Sequence, residues 1–266
     1  MKNLFAKNKS PEALKQKAWL NLVVFLVTVL INYLASSGLF GISQKSVSAA
    51  HPTLITPAGY AFSIWGLIYL LLLVALGFNA YQPTAKNHEH FNRKNSILFL
   101  LSCGLNIVWT FSFLFKWFTV SAVCILALAI VLAYILEQII KHQQSIWLRL
   151  GFSFYAAWVL IASVINVGVV ILDKAGSEAF KSEAMIAIIT LVVATVLACL
   201  ISLRIKSLLY VLPLIWAYIA IFFRQENYAI KVASLALSLV LLAFLIWRII
   251  DQRQEIKAHF KKQKTS

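Results

Sequence analysis

Charged residues are scarce in this sequence. Asp, Glu, Lys and Arg make up 12% of the 266 residues, whereas hydrophobic residues make up 61%. A soluble domain is about a quarter charged and nearer half apolar, so this composition lies outside the soluble globular range. Runs without any charged residue recur along the whole chain, and they predict a polytopic all-α membrane protein. A transmembrane β-barrel is excluded, because its strands alternate apolar and polar residues over about ten positions.

Ionisable residues are nearly absent from the interior of the apolar runs. Glu137 and Asp173 lie at the ends of runs, and no Lys or Arg lies deep within one. Ion-coupled pumps and transporters generally need ionisable groups within the membrane, so the sequence disfavours that class. Only Pro213 interrupts a run in the manner of a discontinuous transporter helix. Uncoupled facilitation is left open.

The sequence also lacks the residue patterns of metal sites and hydrolases. Its three cysteines, Cys103, Cys124 and Cys199, lie within apolar runs without metal-like spacing, which is typical of small core residues. His88 and His90 lie in a basic connector with no further ligand nearby, and we interpret them as solvated. No Ser, His and acid lie at spacings that suggest a catalytic triad. We therefore expect no metal site and no obligatory cofactor.

Basic residues outnumber acidic ones, and the formal net charge is +15. The bases lie between the apolar runs, where the positive-inside rule places them, and they do not form a patch on a soluble face. We therefore expect the lipid bilayer as a partner and no nucleic acid.

Eight apolar runs are candidates for membrane helices. They cover residues 18–40, 57–80, 95–115, 117–136, 150–172, 184–203, 207–223 and 232–247. A helix needs about 20 residues to cross about 30 Å of hydrocarbon, so the last two runs are short. Lys231 and Arg248 lengthen the eighth run by reaching the interfaces. Lys116 alone separates the third run from the fourth, which predicts an antiparallel hairpin.

The distribution of Lys and Arg predicts the orientation. Eight crossings with a cytoplasmic N-terminus put 18 of the 24 basic residues on the cytoplasmic side, with both ends inside. We expect a bacterial inner membrane. A secretory signal is the competing interpretation of the first run, because small residues occupy positions 35–38. The length of that run, and its interruption by Asn21 and Asn32, favour a retained helix.

Three runs place aromatic and amide side chains on one helical face. In the second run, two such side chains lie four residues apart. In the third and fifth runs, the later side chains follow the first one by three, seven or eleven residues. They are Trp65, Tyr69, Asn106, Trp109, Phe113, Tyr155, Trp158 and Asn166. An amide in hydrocarbon needs a hydrogen-bond partner, so the two asparagines should face protein or a cavity.

Such faces have two interpretations. Aromatic stripes at helical spacing are more often packing seams between helices than binding sites. The alternative is a mostly apolar pocket with a few polar anchors, wide enough for a flat aromatic ligand on which indole rings stack.

These same residues resemble the motifs of the TspO/translocator protein family, also called tryptophan-rich sensory protein or peripheral benzodiazepine receptor. Residues 57–69 are similar to its Pro-Pro-x-Trp-Val-Phe-x-x-x-Trp-Thr-x-Leu-Tyr signature. Asn106 to Thr110 is similar to its Asn-x-x-Trp-x element, and Tyr155 to Trp158 with Asn166 is similar to its Tyr-x-x-Trp followed by Asn. Order and spacing agree over residues 19–172, which hold the first five runs.

The resemblance implies a five-helix bundle with a ligand cavity near the first loop, among helices 1, 2, 3 and 5. It implies recognition of tetrapyrroles such as haem or protoporphyrin, or of sterols and isoquinoline-type drugs. The implied ligand-binding residues are Pro57, Tyr60, Trp65, Tyr69, Asn106, Trp109, Phe113, Tyr155, Trp158 and Asn166. Trp65 and Trp158 match the tryptophans implicated in light-dependent porphyrin breakdown, and they are the candidate catalytic residues if the protein is an enzyme.

The sequence departs from the family pattern at the loop end of the pocket. Thr56 replaces the first proline, Gly59 with Tyr60 stands where the family has tryptophan, and Phe154 replaces a proline. These changes alter the part of the pocket that would face porphyrin.

The predicted organisation has four parts. They are a basic N-terminus (1–17), a five-helix bundle (18–172), three additional helices (173–250) and a basic tail (251–266). The additional helices have no counterpart in the short members of the family, and they are expected to cover one side of the bundle in place of a dimer interface. A homodimer through the first five helices is the alternative.

The function predicted from these features is a membrane sensory or binding protein for a small hydrophobic ligand, with tetrapyrrole preferred. A facilitator that moves such ligands across the membrane and a light-dependent porphyrin-degrading enzyme are the alternatives.

Overall fold

The described part of a computed structural model, residues 10–51, 53–175 and 183–265, is built from helices connected by short loops. We label the eight long helices in chain order. They are α1 (Pro11–Ser36), α2 (Ile64–Tyr81), α3 (Ser96–Leu114), α4 (Phe118–Lys141), α5 (Ile146–Ala175), α6 (Glu183–Ile205), α7 (Leu212–Arg224) and α8 (Tyr228–Thr265). The prediction of an all-α protein is confirmed.

Short helical elements extend or precede several of these helices. A 3-10 turn, Gly59–Ser63, leads into α2, and a second one, Leu208–Val211, leads into α7. Lys86–His90 and the π-helical turn Phe91–Asn95 continue directly into α3. We call the separate short helix Gln44–Ala50, between α1 and α2, the loop helix.

Among the residues that the structure describes, seven helices are long and apolar enough to cross a membrane, while α7 with its 3-10 turn forms a shorter apolar helix, Leu208–Arg224. The 13 α-helical residues of α7 rise about 20 Å, and the 3-10 turn adds about 8 Å. That length falls just short of the roughly 30 Å of hydrocarbon in a bilayer. The multi-pass membrane class is therefore supported, and α7 is the helix on which the number of crossings depends.

The predicted hairpin of the third and fourth runs is present. The α3 helix ends at Leu114 and α4 begins at Phe118, with Lys116 in the left-handed region at φ 62°. A connection of three residues leaves the two helices antiparallel and packed along their length.

The first loop, which lies between the first and second predicted runs, contains the loop helix. Ser43 caps its start by a capping box with Ser46, in which each side chain accepts from the other residue's backbone N–H. Val47 then packs in a small buried cluster with Phe113, Phe118 and other residues of α3 to α5. Val47, with Ile42 packed on the same cluster, therefore docks the loop onto the bundle.

The connector at residues 86–94 is also more ordered than predicted. His88 is 3% exposed, and its Nδ1 lies 3.0 Å from the main-chain carbonyl of Gln82. The interpretation of His88 as solvated is therefore wrong. The apolar ring of Phe91, buried in the core, draws the connector inward.

The α5 helix lies at the centre of the fold. It packs against α2, α4, α6 and α7. A Cβ atom added at Gly151 would lie 3.0 Å from Leu72 Cδ2 of α2, so the missing side chain lets these two helices approach closely. This arrangement joins the three C-terminal helices to the first five.

Candidate ligand cavity

The segment before α2 forms one wall of the candidate site, and local polar contacts shape it. The Thr56 hydroxyl lies 2.9 Å from the Thr53 hydroxyl and accepts from the Thr53 backbone N–H at 2.9 Å. Pro57, which is buried, then leads into the 3-10 turn. We call residues 53–63 the wall segment.

The α7 helix and the residue after it hold the wall segment through its backbone. Trp216 Nε1 donates to the carbonyl of Ala61 at 3.0 Å, and the N–H of Ala58 donates to the carbonyl of Ala220 at 3.2 Å. Arg224 Nη1 donates to the carbonyls of Thr56 and Pro57, at 3.2 Å each. Gln225 Nε2 donates to the carbonyl of Leu54 at 2.6 Å. Sequence analysis did not predict these contacts.

Trp65 lies at the centre of an aromatic cluster that joins three helices. Its ring stacks on Tyr69 with centroids 5.5 Å apart, and it lies 6.1 Å from the ring of Trp109 on α3. The rings of Tyr155 and Trp158 on α5 meet it edge-on, at 6.0 Å and 6.4 Å. The aromatic residues predicted from three separate runs are therefore brought together.

Asn106 is the centre of a buried hydrogen-bond chain behind this cluster. Its Oδ1 accepts from Asn32 Nδ2 at 2.7 Å, and its Nδ2 donates to the Tyr155 hydroxyl at 3.1 Å. The Thr110 hydroxyl donates to Asn32 Oδ1 at 2.8 Å. The chain ties α1, α3 and α5 together, as expected for amides within a membrane. The role of Asn32 was missed because it stands alone in an apolar run.

Asn166 is also fully engaged with protein. Its Oδ1 accepts from Ser121 at 2.7 Å and from Trp109 Nε1 at 3.4 Å, and its Nδ2 donates to the Ala162 carbonyl at 3.0 Å. The predicted amide of the fifth run therefore joins α4, α3 and α5.

A cavity of about 40 Å³ lies between the aromatic cluster, the wall segment and the loop helix. We call it the small cavity. Six of the predicted residues line it, namely Pro57, Trp65, Trp109, Phe113, Trp158 and Asn166. Gln44 and Ser48 of the loop helix and Phe62 of the wall segment complete this side of the lining.

A second cavity, of about 340 Å³, lies between α1 and α2. We call it the large cavity. Gln44, Phe62 and Trp65 line both cavities, so the two lie on either side of the same three side chains. The α1 helix contributes Asn32 and Tyr33 to the large cavity, and α2 adds Tyr69; other lining residues are Val29 and Ser36.

A family model described as TSPO-like protein matches residues 18–247. The chain belongs to the TSPO-like protein family. The match includes all eight long helices in whole or large part and continues through α6, α7 and most of α8. No curated protein and no solved structure matches the chain.

Three of the residues predicted to bind ligand in this TSPO-like protein line neither cavity. Tyr60 is 47% exposed, and its ring meets Trp216 edge-on at 5.5 Å. Tyr155 is a buried member of the aromatic cluster, and the buried Asn106 donates to its hydroxyl. The lining residues that sequence analysis missed include Gln44, which lies in the loop helix that was predicted as plain loop.

The described residues of the TSPO-like chain hold no group of three or more His, Cys, Asp or Glu that could bind a metal ion. The linings of the two cavities contain no His, Cys or Met among those residues. Their chemistry is aromatic, aliphatic and amide, which suits stacking and hydrogen bonding to an organic ligand.

Proposed function

We propose that this TSPO-like protein binds a small apolar molecule in the two cavities beside Trp65 and acts as a membrane sensory or binding protein. The observation that carries the proposal is the aromatic cluster itself, in which rings from α2, α3 and α5 meet at Trp65 next to a cavity of about 340 Å³. Small-molecule sites have volumes of roughly 300–1,000 Å³ and are mostly apolar with a few polar groups.

A tetrapyrrole such as protoporphyrin or haem is the preferred ligand. The resemblance of residues 57–69 to the TspO signature supports this choice, and indole faces stack on flat aromatic molecules. Because neither cavity is lined by a described His, Cys or Met, this ligand would be held by its ring faces and its polar substituents.

Binding is tested with purified full chain in nanodiscs. Protoporphyrin is added, and its own absorption and fluorescence are followed, so that the signal does not depend on the number of tryptophans. We expect saturable binding that weakens by about tenfold or more in Trp65→Ala, because the variant loses the ring that both cavities share. Trp117→Ala is the matched control, since Trp117 is 62% exposed and lines neither cavity. Equal affinity in both variants would overturn the proposal.

Two other functions are separated with the same preparation. Trp65 and Trp158 meet edge-on at 6.4 Å beside the small cavity, so light-dependent porphyrin breakdown is the second candidate. It predicts loss of the porphyrin absorption band under light, abolished in Trp158→Phe. A facilitator predicts ligand flux into proteoliposomes, which binding alone does not produce.

The packing of the C-terminal helices bears on oligomeric state. The α6 and α7 helices both pack on α5, and α6 also packs on α4. We propose that they take the place of a dimer interface and that the protein is a monomer. Native mass measurement in a gentle detergent tests this, and an obligate dimer cross-linked through α1 to α5 would contradict it.

A further inference from the structure

Another cavity opens on the outer surface of the bundle, between α4, α5 and α6. We call it the lateral groove. Its volume is about 420 Å³, and its described lining is aliphatic apart from Ser163, Thr190 and Tyr210. Ile130 of α4 and Ile189 of α6 are 72% and 54% exposed, so the groove is open toward the lipid of a membrane. It shares no described lining residue with the small or the large cavity.

The dimensions of the lateral groove suit a single hydrocarbon chain. Its lining on α6 runs from Ile189 to Ile201, a distance of about 18 Å at the helical rise. That length is comparable with one leaflet of a bilayer, whose whole hydrocarbon core is about 30 Å thick. The volume divided by this length gives a mean cross-section of about 23 Å², whereas a helix with its side chains needs about 80 Å² or more. A helix of a second copy of this chain is therefore too wide for the groove.

Tyr210, which lines the groove, has a hydroxyl without a partner among the described residues. The residue lies in the 3-10 turn before α7 and is 1% exposed. The other two hydroxyls of the lining, on Ser163 and Thr190, donate to main-chain carbonyls of their own helices. Because a buried polar group normally has a partner, the occupant of the groove is the molecule placed to supply an oxygen to Tyr210.

Two charged side chains of opposite sign meet across one end of the groove. On α4 the lining ends at Ala133, and Glu137 follows one turn later. On α6 the lining ends at Ile201, and Arg204 follows about one turn later. Arg204 Nε lies 3.6 Å from Glu137 Oε1, so this pair bridges α4 and α6 directly beyond the apolar lining.

Basic residues outnumber the acid at this end. Lys141 lies four residues after Glu137, on the same face of α4, and Lys206 directly follows the end of α6. The Arg204 side chain is 77% exposed and Lys206 is also exposed, so both can contact a ligand. Three bases against one acid favour a negatively charged headgroup, because basic side chains at the membrane surface attract anionic lipids.

We propose that the lateral groove binds one anionic phospholipid, with an acyl chain between α4, α5 and α6 and the phosphate on Arg204 and Lys206. The Tyr210 hydroxyl donates to an ester oxygen of the same lipid, at the junction of its chain and headgroup. This site goes beyond the proposed function and does not depend on it, because the groove and the two cavities have separate linings.

The test compares two lipids with identical acyl chains, dioleoylphosphatidylglycerol, which is anionic, and dioleoylphosphatidylcholine, which is zwitterionic. Each is added to the delipidated full chain in detergent, and native mass spectrometry gives the apparent Kd of the first lipid bound. We expect the wild type to bind the anionic lipid about fivefold tighter or more. Arg204→Gln with Lys206→Gln should bring the two affinities within about twofold. The matched control, Lys15→Gln with Lys17→Gln, removes the same charge from the start of α1 and should keep the preference.

Two further variants test the chain and the hydroxyl. Ala133→Phe places a ring in the groove and should weaken both lipids by about fivefold or more, while Val123→Phe, at an exposed position of α4 outside the lining, should not. Tyr210→Phe should weaken both lipids by about fivefold and leave their ratio unchanged, because both carry ester oxygens.

Three results would overturn the inference. They are equal affinity of the wild type for the two lipids, a preference that survives Arg204→Gln with Lys206→Gln, and unchanged binding of both lipids in Ala133→Phe. Loss of the preference in the Lys15→Gln with Lys17→Gln control would also overturn it, since the effect would then come from net charge and not from the groove.

Discussion

Trp216 Nε1 of α7 donates a hydrogen bond to the main-chain carbonyl of Ala61 at 3.0 Å, across 155 positions of sequence. The bond joins the C-terminal helices to the segment that walls the small cavity. Ala220, one turn further along α7, accepts from the N–H of Ala58. The wall segment therefore has its position set by α7, a helix outside the part of the chain that carries the TspO motifs.

Removal of the Trp216 donor should loosen the wall segment. Trp216→Phe keeps the ring contact with Tyr60 and deletes the bond to Ala61, a loss of about 1 kcal/mol. We expect faster hydrogen exchange at Ala58, whose amide bonds to the same helix, and weaker binding of protoporphyrin. Hydrogen-exchange mass spectrometry on nanodisc samples measures the first effect.

The control for this variant is Trp247→Phe, because Trp247 is an exposed residue on α8. It should leave exchange in the wall segment unchanged. Equal hydrogen exchange at Ala58 in the wild type and in Trp216→Phe would mean that the Trp216 hydrogen bond does not fix the position of the wall segment.

The buried amide chain predicts a stability effect. Asn106→Leu leaves the buried Tyr155 hydroxyl without its partner and removes one of the two acceptors of Asn32 Nδ2, which still donates to the Thr28 carbonyl, so the free energy of unfolding should fall by about 1–3 kcal/mol. Thr110→Val removes only the bond to Asn32 Oδ1 and should cost about 0.6 kcal/mol, the average for a hydrogen bond between membrane helices. Unfolding in sodium dodecyl sulfate measures both. An equal loss in the two variants would argue against Asn106 as the centre of the chain.

The sequence predicted the parts of the site that depend on local pattern. Helical periodicity grouped Trp109 with Asn106 and Trp158 with Asn166, and the structure brings Trp65, Trp109 and Trp158 into one cluster. Tyr60, carried over from the motif, lies outside the cavities because α7 supplies Trp216 as its partner.

The remaining features depend on distant contacts. Val47 is the one large apolar residue of the seven-residue loop helix, so no apolar run predicted this helix, and Gln44 was missed with it. The hydrogen bond that Asn32 donates to Asn106 spans 74 positions of sequence, so the run around Asn32 could not predict it. The hydrogen bonds from α7 and the adjoining Gln225 to the wall segment have mostly backbone carbonyls as acceptors. Backbone carbonyls carry no signature in the sequence.

The close approach of α5 to α2 predicts the effect of a side chain at Gly151. A Cβ there would lie 3.0 Å from Leu72 Cδ2 and 3.4 Å from the backbone of Leu71, so Gly151→Val should destabilise the fold by about 1–3 kcal/mol. Leu72→Ala in the same chain should return part of that loss by making room. Gly104→Val is the control, because nothing lies within 4 Å of its added Cβ. Thermal unfolding of the wild type, Gly151→Val, Leu72→Ala, the double variant and Gly104→Val tests the prediction, and additive losses in the double variant would contradict it.

The number of crossings decides the side of the membrane on which each end lies. If α7 crosses, the chain has eight crossings and both ends lie on the side that holds 18 of its 24 Lys and Arg residues. Reporter fusions that fluoresce only in the cytoplasm should then be bright at either end and dark after Lys116, in the turn between α3 and α4. A fusion at Lys206, just before α7, should be bright, and one at Glu226, just after it, should be dark. Within the described ranges, α7 with its 3-10 turn is the apolar helix that is shorter than the others. A bright signal at both Lys206 and Glu226 would show that α7 re-enters the same side, which would put the C-terminus outside and contradict the predicted orientation.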